Sequence, residues 1–305
     1  NINGFDNSDD RLVGNWWDEI INGKSGDDFL YGNAGNDTIY GEDGNDFLEG
    51  GYGDDTLYGG AGGDNLEGGS GNDKLISGTG DDKISTGEGN DEVEASSGNN
   101  TIVAEYGNNT IMAGDGDNVI EVGSGNDEIT LGDGSNIVNL GDGDNTLTLG
   151  DGNNLIDSGD GSDAVKVGDG NNNIRTGSGN DYINAGNGDN FVDLGDGDDL
   201  VVAGNGNNII YAGNGNDDLF VGSGDNTIYL GYGDDELTIG LGNNTIISDA
   251  GNNVINVSAD PLANAENAID EFNDINNPVS SASTSFAAVS ALSASYLTSV
   301  KTAYG

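Results

Sequence analysis

A nine-residue beat governs this chain from Gly23 to Asn256. Every block reads x-x-x-Gly-x-[Asp/Asn]-x-aliphatic-x, and 26 blocks follow one another without an insertion. The fourth place is Gly throughout, from Gly26, Gly35 and Gly44 to Gly251. The eighth is Leu, Ile or Val throughout, from Leu30, Ile39 and Leu48 to Ile255. Two weaker blocks precede, with Leu12 and Ile21 at the eighth place. A short fixed period means a solenoid, in which each unit buries its apolar residue only against its neighbours. Nine residues cannot hold a helix and a turn, but they hold a glycine-rich turn and a short strand. In that strand the eighth residue points inward while the seventh and ninth point outward. Two blocks make one 18-residue coil, and 13 coils stacked at about 4.8 Å span roughly 60 Å.

Charge sharpens the reading. Asp and Glu outnumber Lys and Arg by 55 to 7, a net charge of -48. Such a balance alone describes a disordered acidic tail, but a tail carries no strict period. The charge argues against nucleic acid and anionic membrane surfaces as partners and for cations. With no Cys and no His, thiolate chemistry, imidazole chemistry, disulfides and ordinary zinc sites are absent. No apolar run approaches a membrane span, and no cleavable signal peptide is visible before Gly23.

The blocks GNAGNDTIY, GEDGNDFLE, GGYGDDTLY and GGSGNDKLI resemble the calcium-binding nonapeptide of the RTX (repeats-in-toxin) family, Gly-Gly-x-Gly-x-Asp-x-U-x. The resemblance covers residues 23–256. It implies an all-β parallel β-roll with calcium in the turns, type I secretion from a Gram-negative cell, and folding triggered by calcium outside. Chemistry agrees, since Ca²⁺ takes carboxylate and carbonyl oxygens and open glycine turns expose carbonyls beside each Asp. The metal-ligating set is then Asp28, Asp37, Asp46, Asp55, Asp64, Asp73, Asp82, Asp91, Asp127, Asp163, Asp181, Asp199, Asp217 and Asp235.

Alternate blocks lie on opposite edges of a roll, so the sixth place sorts by edge. One edge is mostly Asp, with Asn only at Asn109, Asn145 and Asn253. The other runs Asp28, Asp46, Asp64, Asp82 and then Asn from Asn100 to Asn244 without return. Stacked carboxylates about 5 Å apart repel unless a cation separates them. Stacked amides donate to and accept from one another. The expectation is calcium on both edges near the N-terminus and on one edge thereafter, with the Asn edge hydrogen-bonded and metal-free. The alternative is that Asn also ligates calcium through its amide oxygen. Asp127, between Asn109 and Asn145, is the most isolated candidate.

The first place of each block changes near the same point. It is Gly up to Gly68, then Ser77, Thr86, Ala95 and Ala104, and later Val122, Leu131, Leu140, Leu149, Leu194, Leu230 and Ile239. It shares the inward parity of the eighth place. Each Gly-to-Leu change buries side-chain area worth roughly 1.5–3 kcal/mol, so the core widens as carboxylates are given up.

Residues 1–22 depart from the pattern and read as degenerate repeats or a cap, with Trp16 and Trp17 in a turn; those rings also suit a sugar or partner platform. Residues 257–305 read as a helical segment. Asp260-Pro261 can open a helix, Ala265, Ile269, Phe272 and Ile275 recur at helical spacing, and Phe286, Val289, Leu292, Tyr296 and Val300 suit a second helix. Cap, uncleaved secretion signal and docking segment all remain open for it. Outward aromatics cluster at Phe29, Tyr31 and Phe47, at Tyr40 and Tyr58, and at Phe191, Tyr211 and Tyr229, either as cross-strand ladders or as contact surface. No Thr-x-Thr array supports ice binding.

Repeated turn carboxylates without a pocket-building insertion speak against an enzyme. The expected function is an extracellular calcium-binding structural protein that self-associates in a surface layer, filament or matrix. The alternatives are the C-terminal roll and secretion module of a larger adhesin, toxin or enzyme, and a carbohydrate- or ice-binding surface. Hydrogen exchange in chelator is expected to open the first third of the roll before the rest; uniform protection would contradict this division.

Overall fold

The computed structural model describes residues 1–265 and Ala268. Its strands run from β1 (Ile2–Asn3) to β29 (Val254–Val257) and alternate between two parallel sheets, one of 15 strands holding the odd-numbered strands and one of 14 holding the even-numbered. The polypeptide winds from one sheet to the other and back every 18 residues. Leu30 lies in register with Leu48 on one sheet, and Ile39 with Leu57 and Leu75 on the other. The chain is therefore a parallel β-solenoid of about 14 turns.

The alternation expected from the repeat sets the core. Leu30, Ile39, Leu48, Leu57, Leu66 and Leu75 are wholly buried, and the first-place residues Leu140, Leu194, Leu230 and Ile239 join them where Gly has been replaced. A single hydrophobic cluster runs from Ile21 to Ile239. In the early coils the strands are six residues long, as in Thr38–Asp43 and Phe47–Tyr52, because the backbone stays in the ladder through the second and third places of the next block. Beyond Ser124 they shorten to three or four residues.

Residues 1–22 enter the same sheets. Ile2 pairs with Ile21 and Leu12 with Leu30, and both Ile2 and Leu12 pack on the end of the core. Trp16 and Trp17 project from the turn between Val13 and Ile20, 81% and 76% exposed. At the far end a 3-10 helix, Pro261–Asn264, with Pro in its first turn, packs against Asp218–Val221 and Glu236–Ile239. On that sheet the outward residues Leu200, Val202 and Thr238 are buried, unlike their counterparts in earlier coils. The helical pattern of Ile269, Phe272 and Ile275 and the stretch Phe286 to Val300 lie outside the described residues.

The aromatic files are ladders. Tyr40 stacks on Tyr58 at 4.7 Å and Tyr211 on Tyr229 at 4.4 Å, both with nearly parallel rings. Phe47 leans on Phe29 and Tyr31, and Phe191 on Tyr211.

Coil stacking makes the fourth-place glycines obligatory. Gly62 has φ +141°, and a Cβ there would collide with the Gly44 carbonyl of the coil before. Its neighbour Gly63 has ordinary φ, and the nearest atom to its Cβ would be the Asp81 carbonyl oxygen at 3.2 Å. Gly62→Ala is expected to cost on the order of 3 kcal/mol or more and Gly63→Ala less than about 1 kcal/mol, read as denaturation midpoints in saturating calcium. Equal costs would refute the collision.

Candidate metal centres

Three consecutive amides in each turn reach for a neighbouring coil. In the turn at 44–46, the Gly44 amide donates to the Ala61 carbonyl at 2.9 Å. The Asn45 amide donates backward to Asp27 Oδ1 at 2.8 Å, and the Asp46 amide donates forward to Asp64 Oδ1 at 2.8 Å. The fifth-place side chains are exposed, with Asn180 half-buried, and the sixth-place side chains are buried from Asp28 to Asp235. Each edge thus carries two side-chain ladders of opposite direction, an outer and an inner one.

The inner ladder spends only one oxygen of each carboxylate. Oδ1 of Asp55 accepts from the Asp37 amide at 2.7 Å, and Oδ1 of Asp73 from the Asp55 amide at 2.8 Å. Oδ2 finds no donor. All fourteen aspartates expected from sequence, Asp28 through Asp91 on both edges and Asp127, Asp163, Asp181, Asp199, Asp217 and Asp235 on one, are buried with Oδ2 lacking any hydrogen bond. A buried carboxylate oxygen without a donor is strongly disfavoured as an anion.

In the early coils a second oxygen faces the same spot. The position a Cβ would take on Gly41 is met by Asp46 Oδ2 and, at 2.6 Å, by the Gly59 carbonyl oxygen. Gly32 is met likewise by Asp37 Oδ2 and the Gly50 carbonyl. First-place glycine leaves this cradle clear, and a side chain there would fill it. Among the described residues no three carboxylates converge on one point, so an ion here would draw most of its oxygens from turn carbonyls. Hard oxygen donors in a flexible, glycine-rich backbone suit Ca²⁺.

Burial shifts these acids. It lifts Asp46 and Asp181 to about 6, Asp55, Asp64, Asp73, Asp163 and Asp217 to about 7, and Asp199 to about 8, from an ordinary 3.8. Asp28, Asp37, Asp91, Asp127 and Asp235 are raised for the same reason. Each amide donor on Oδ1 opposes the shift without cancelling it. Neighbouring carboxylates add to it at Asp46, Asp55, Asp64, Asp73 and Asp199.

The Asn edge is a different material. From Asn100 the side-chain amide donates to Asn118 Oδ1 at 3.2 Å, and the chain of such bonds continues through Asn136, Asn154, Asn172, Asn190, Asn208 and Asn226 to Asn244. The same Nδ2 atoms also reach turn carbonyls, as Asn118 does to Gly116. No amide of this ladder has an orphaned buried atom.

Two acids of the inner ladder were not in the expected set. Asp10 and Glu19 donate their amides to Oδ1 of Asp28 and Asp37, both at 2.7 Å, and so occupy the sixth place of the two weak blocks. Their signal was an acid two residues before Leu12 and Ile21. A further exposed ladder, Asp115, Asp133, Asp151 and Asp169, runs along the Asn edge at the third place, outside the nonapeptide signature.

A family model matches along most of the chain. The RTX calcium-binding nonapeptide repeat is found in overlapping segments from residues 13–48, 40–75 and 58–93 to 211–246 and 229–260. No curated protein matches.

Without calcium, the raised carboxylate pKa values predict a roll that is more stable in acid than at neutral pH. The native acids bind protons more tightly than the unfolded ones, so their contribution is complete at low pH and is lost as pH rises through about 6 to 8. In chelator the melting temperature is expected to fall between pH 5 and pH 8.5, and millimolar calcium is expected to abolish the fall. A flat profile in chelator would count against buried, proton-holding carboxylates.

Proposed function

The chain belongs to the RTX calcium-binding nonapeptide repeat family, and from that premise we propose an extracellular, non-catalytic structural role in which calcium makes the roll rigid enough to serve as a building block. The repeats bind multiple calcium ions. The observation that carries the structural reading is the row of buried carboxylates, each with one unpartnered oxygen. Eight of the fourteen lie between Asp28 and Asp91, on both edges, and six are spread over the remaining coils.

On this reading calcium sits against those fourteen aspartates, whereas Asp10 and Glu19 cap the two rows with carboxylates already held by Phe5 and Ser8 and by Asn15. The bound ion supplies positive charge between stacked carboxylates. The chain's own residues do the rest: Oδ1 fixes each carboxylate to the amide of the coil before, first-place glycine keeps the cradle open at the six aspartates from Asp28 to Asp73, and fourth-place glycine lets the coils close up. The Asn edge holds its register through amide bonds, so the distal coils depend less on the ion.

Assembly has its own support. Among the described residues the last rung leaves Val254, Ile255 and Val257 between 42% and 67% exposed, although Ile255 occupies an inward place. Exposed apolar side chains on a parallel strand are a template for pairing. Export from a Gram-negative cell fits the family's usual setting. Among the described residues no helix is long and apolar enough to cross a membrane.

Molar mass by light scattering over a range of protein concentrations tests this role. The expected result is mass that climbs with protein in millimolar calcium and falls to the monomer in chelator. A compact monomer at every concentration would favour the second reading, a folding and export module of a larger protein.

A further inference from the structure

One groove of about 850 Å³ lies on the outer face of the 14-stranded sheet, over the early coils. Its floor is a strip of second-place glycines, Gly51, Gly69 and Gly87, in register with one another. One wall carries the ninth-place residues Glu49 and Glu67, directly paired across adjacent strands. The other is the third-place file, in which Tyr52, Ser70, Glu88 and Tyr106 follow in register. Trp16 closes one end, and Glu105 stands beside Tyr106 at the other.

The walls are not a by-product of the repeat. The opposite sheet has the same backbone, yet its third-place file reads Ser25, Asp43, Ala61 and Thr79, with no aromatic residue. The aromatics also differ in kind from the stacked pairs elsewhere. Trp16, Tyr52 and Tyr106 are 81%, 72% and 55% exposed. They stand two and three coils apart, or about 10 and 14 Å, too far to stack on each other.

Charge selects the occupant. Glu49 and Glu67 are like charges set opposite one another, which a sheet disfavours. Where acids meet on the other sheet the chain brings a cation: Lys74 Nζ lies 2.6 Å from both Glu92 and Glu94. Just upstream, seventh-place Arg11 sits 4.7 Å over the ring of Tyr31, which precedes Glu49 on the groove's ninth-place file. In the groove itself four glutamates line the walls and no Lys or Arg does. Exposed rings and carboxylates, spaced along a glycine floor, form a site for a linear organic cation, whose ammonium groups meet carboxylates while its methylenes and charges lie on rings.

We infer that this groove binds an extended aliphatic polyamine. The inference is independent of self-association. Its test uses the full chain in saturating calcium at fixed ionic strength, with spermine as probe and calorimetry as readout. One saturable site is expected. The variant W16A/Y52A/Y106A and the variant E49Q/E67Q are each expected to weaken binding by about tenfold or more, while Thr79→Ala on the opposite sheet changes it less than about twofold. All these side chains reach solvent, so thermal melting in calcium confirms that each variant is folded. Spermine heats that are equal in every variant and vanish with added salt would mean diffuse counterion binding to an acidic chain and would overturn the inference. Aromatic-dependent binding of a neutral oligosaccharide, with none of spermine, would overturn it as well.

Discussion

Because every coil is 18 residues long, each side chain lies on a copy of its own place in the coil before. Like meets like along the whole molecule, and the chemistry of each place decides whether that meeting is favourable. Leucine on leucine fills the core, and tyrosine on tyrosine stacks. Asparagine on asparagine closes a chain of amide bonds, because the group is donor and acceptor together. Aspartate on aspartate does none of these. It anchors one oxygen to the neighbouring coil and leaves the other buried and unmatched. The fold therefore contains a built-in deficit at its sixth place, and calcium and asparagine are two ways to remove it.

The two ways have different consequences. A cation removes the deficit only when the surroundings contain it, so aspartate coils couple folding to the medium. An amide removes it at all times. The chain uses both, with aspartate on both edges of the early coils and a continuous amide row later, where first-place leucine, valine and isoleucine enlarge the core. Residue choices at two places of nine, the first and the sixth, distinguish the early coils from the later ones.

Much of this was legible before any coordinates. The strict fourth-place Gly and eighth-place aliphatic dictated a two-sheet solenoid, and sorting the sixth place by parity separated the edges. Asp10 and Glu19 fall outside the signature because their blocks carry Ser8 and Trp17 in place of the marker glycine, although their acids stand in the right place. The direction of the outer ladder could not be read at all, since Asn45 has the same composition whichever neighbour it bonds. The groove was hidden for a related reason. Its floor and walls come from the ninth, second and third places, which belong to two successive blocks and meet on one face only where the strands run six residues.

The opposed ladders on each edge set a rule for how such a chain can change its length. Each coil presents on one open face the donors and acceptors that complement those on its other face, so adding or deleting a whole coil leaves every surviving bond with a partner of the right kind. A single nonapeptide gained or lost would also preserve the core, because the eighth place stays inward. It would nevertheless exchange the two edges for everything downstream, setting asparagines above aspartates and breaking the amide row. Lineages of this protein can thus lengthen or shorten by pairs of repeats at little cost, and an odd number of repeats is the change that selection should remove.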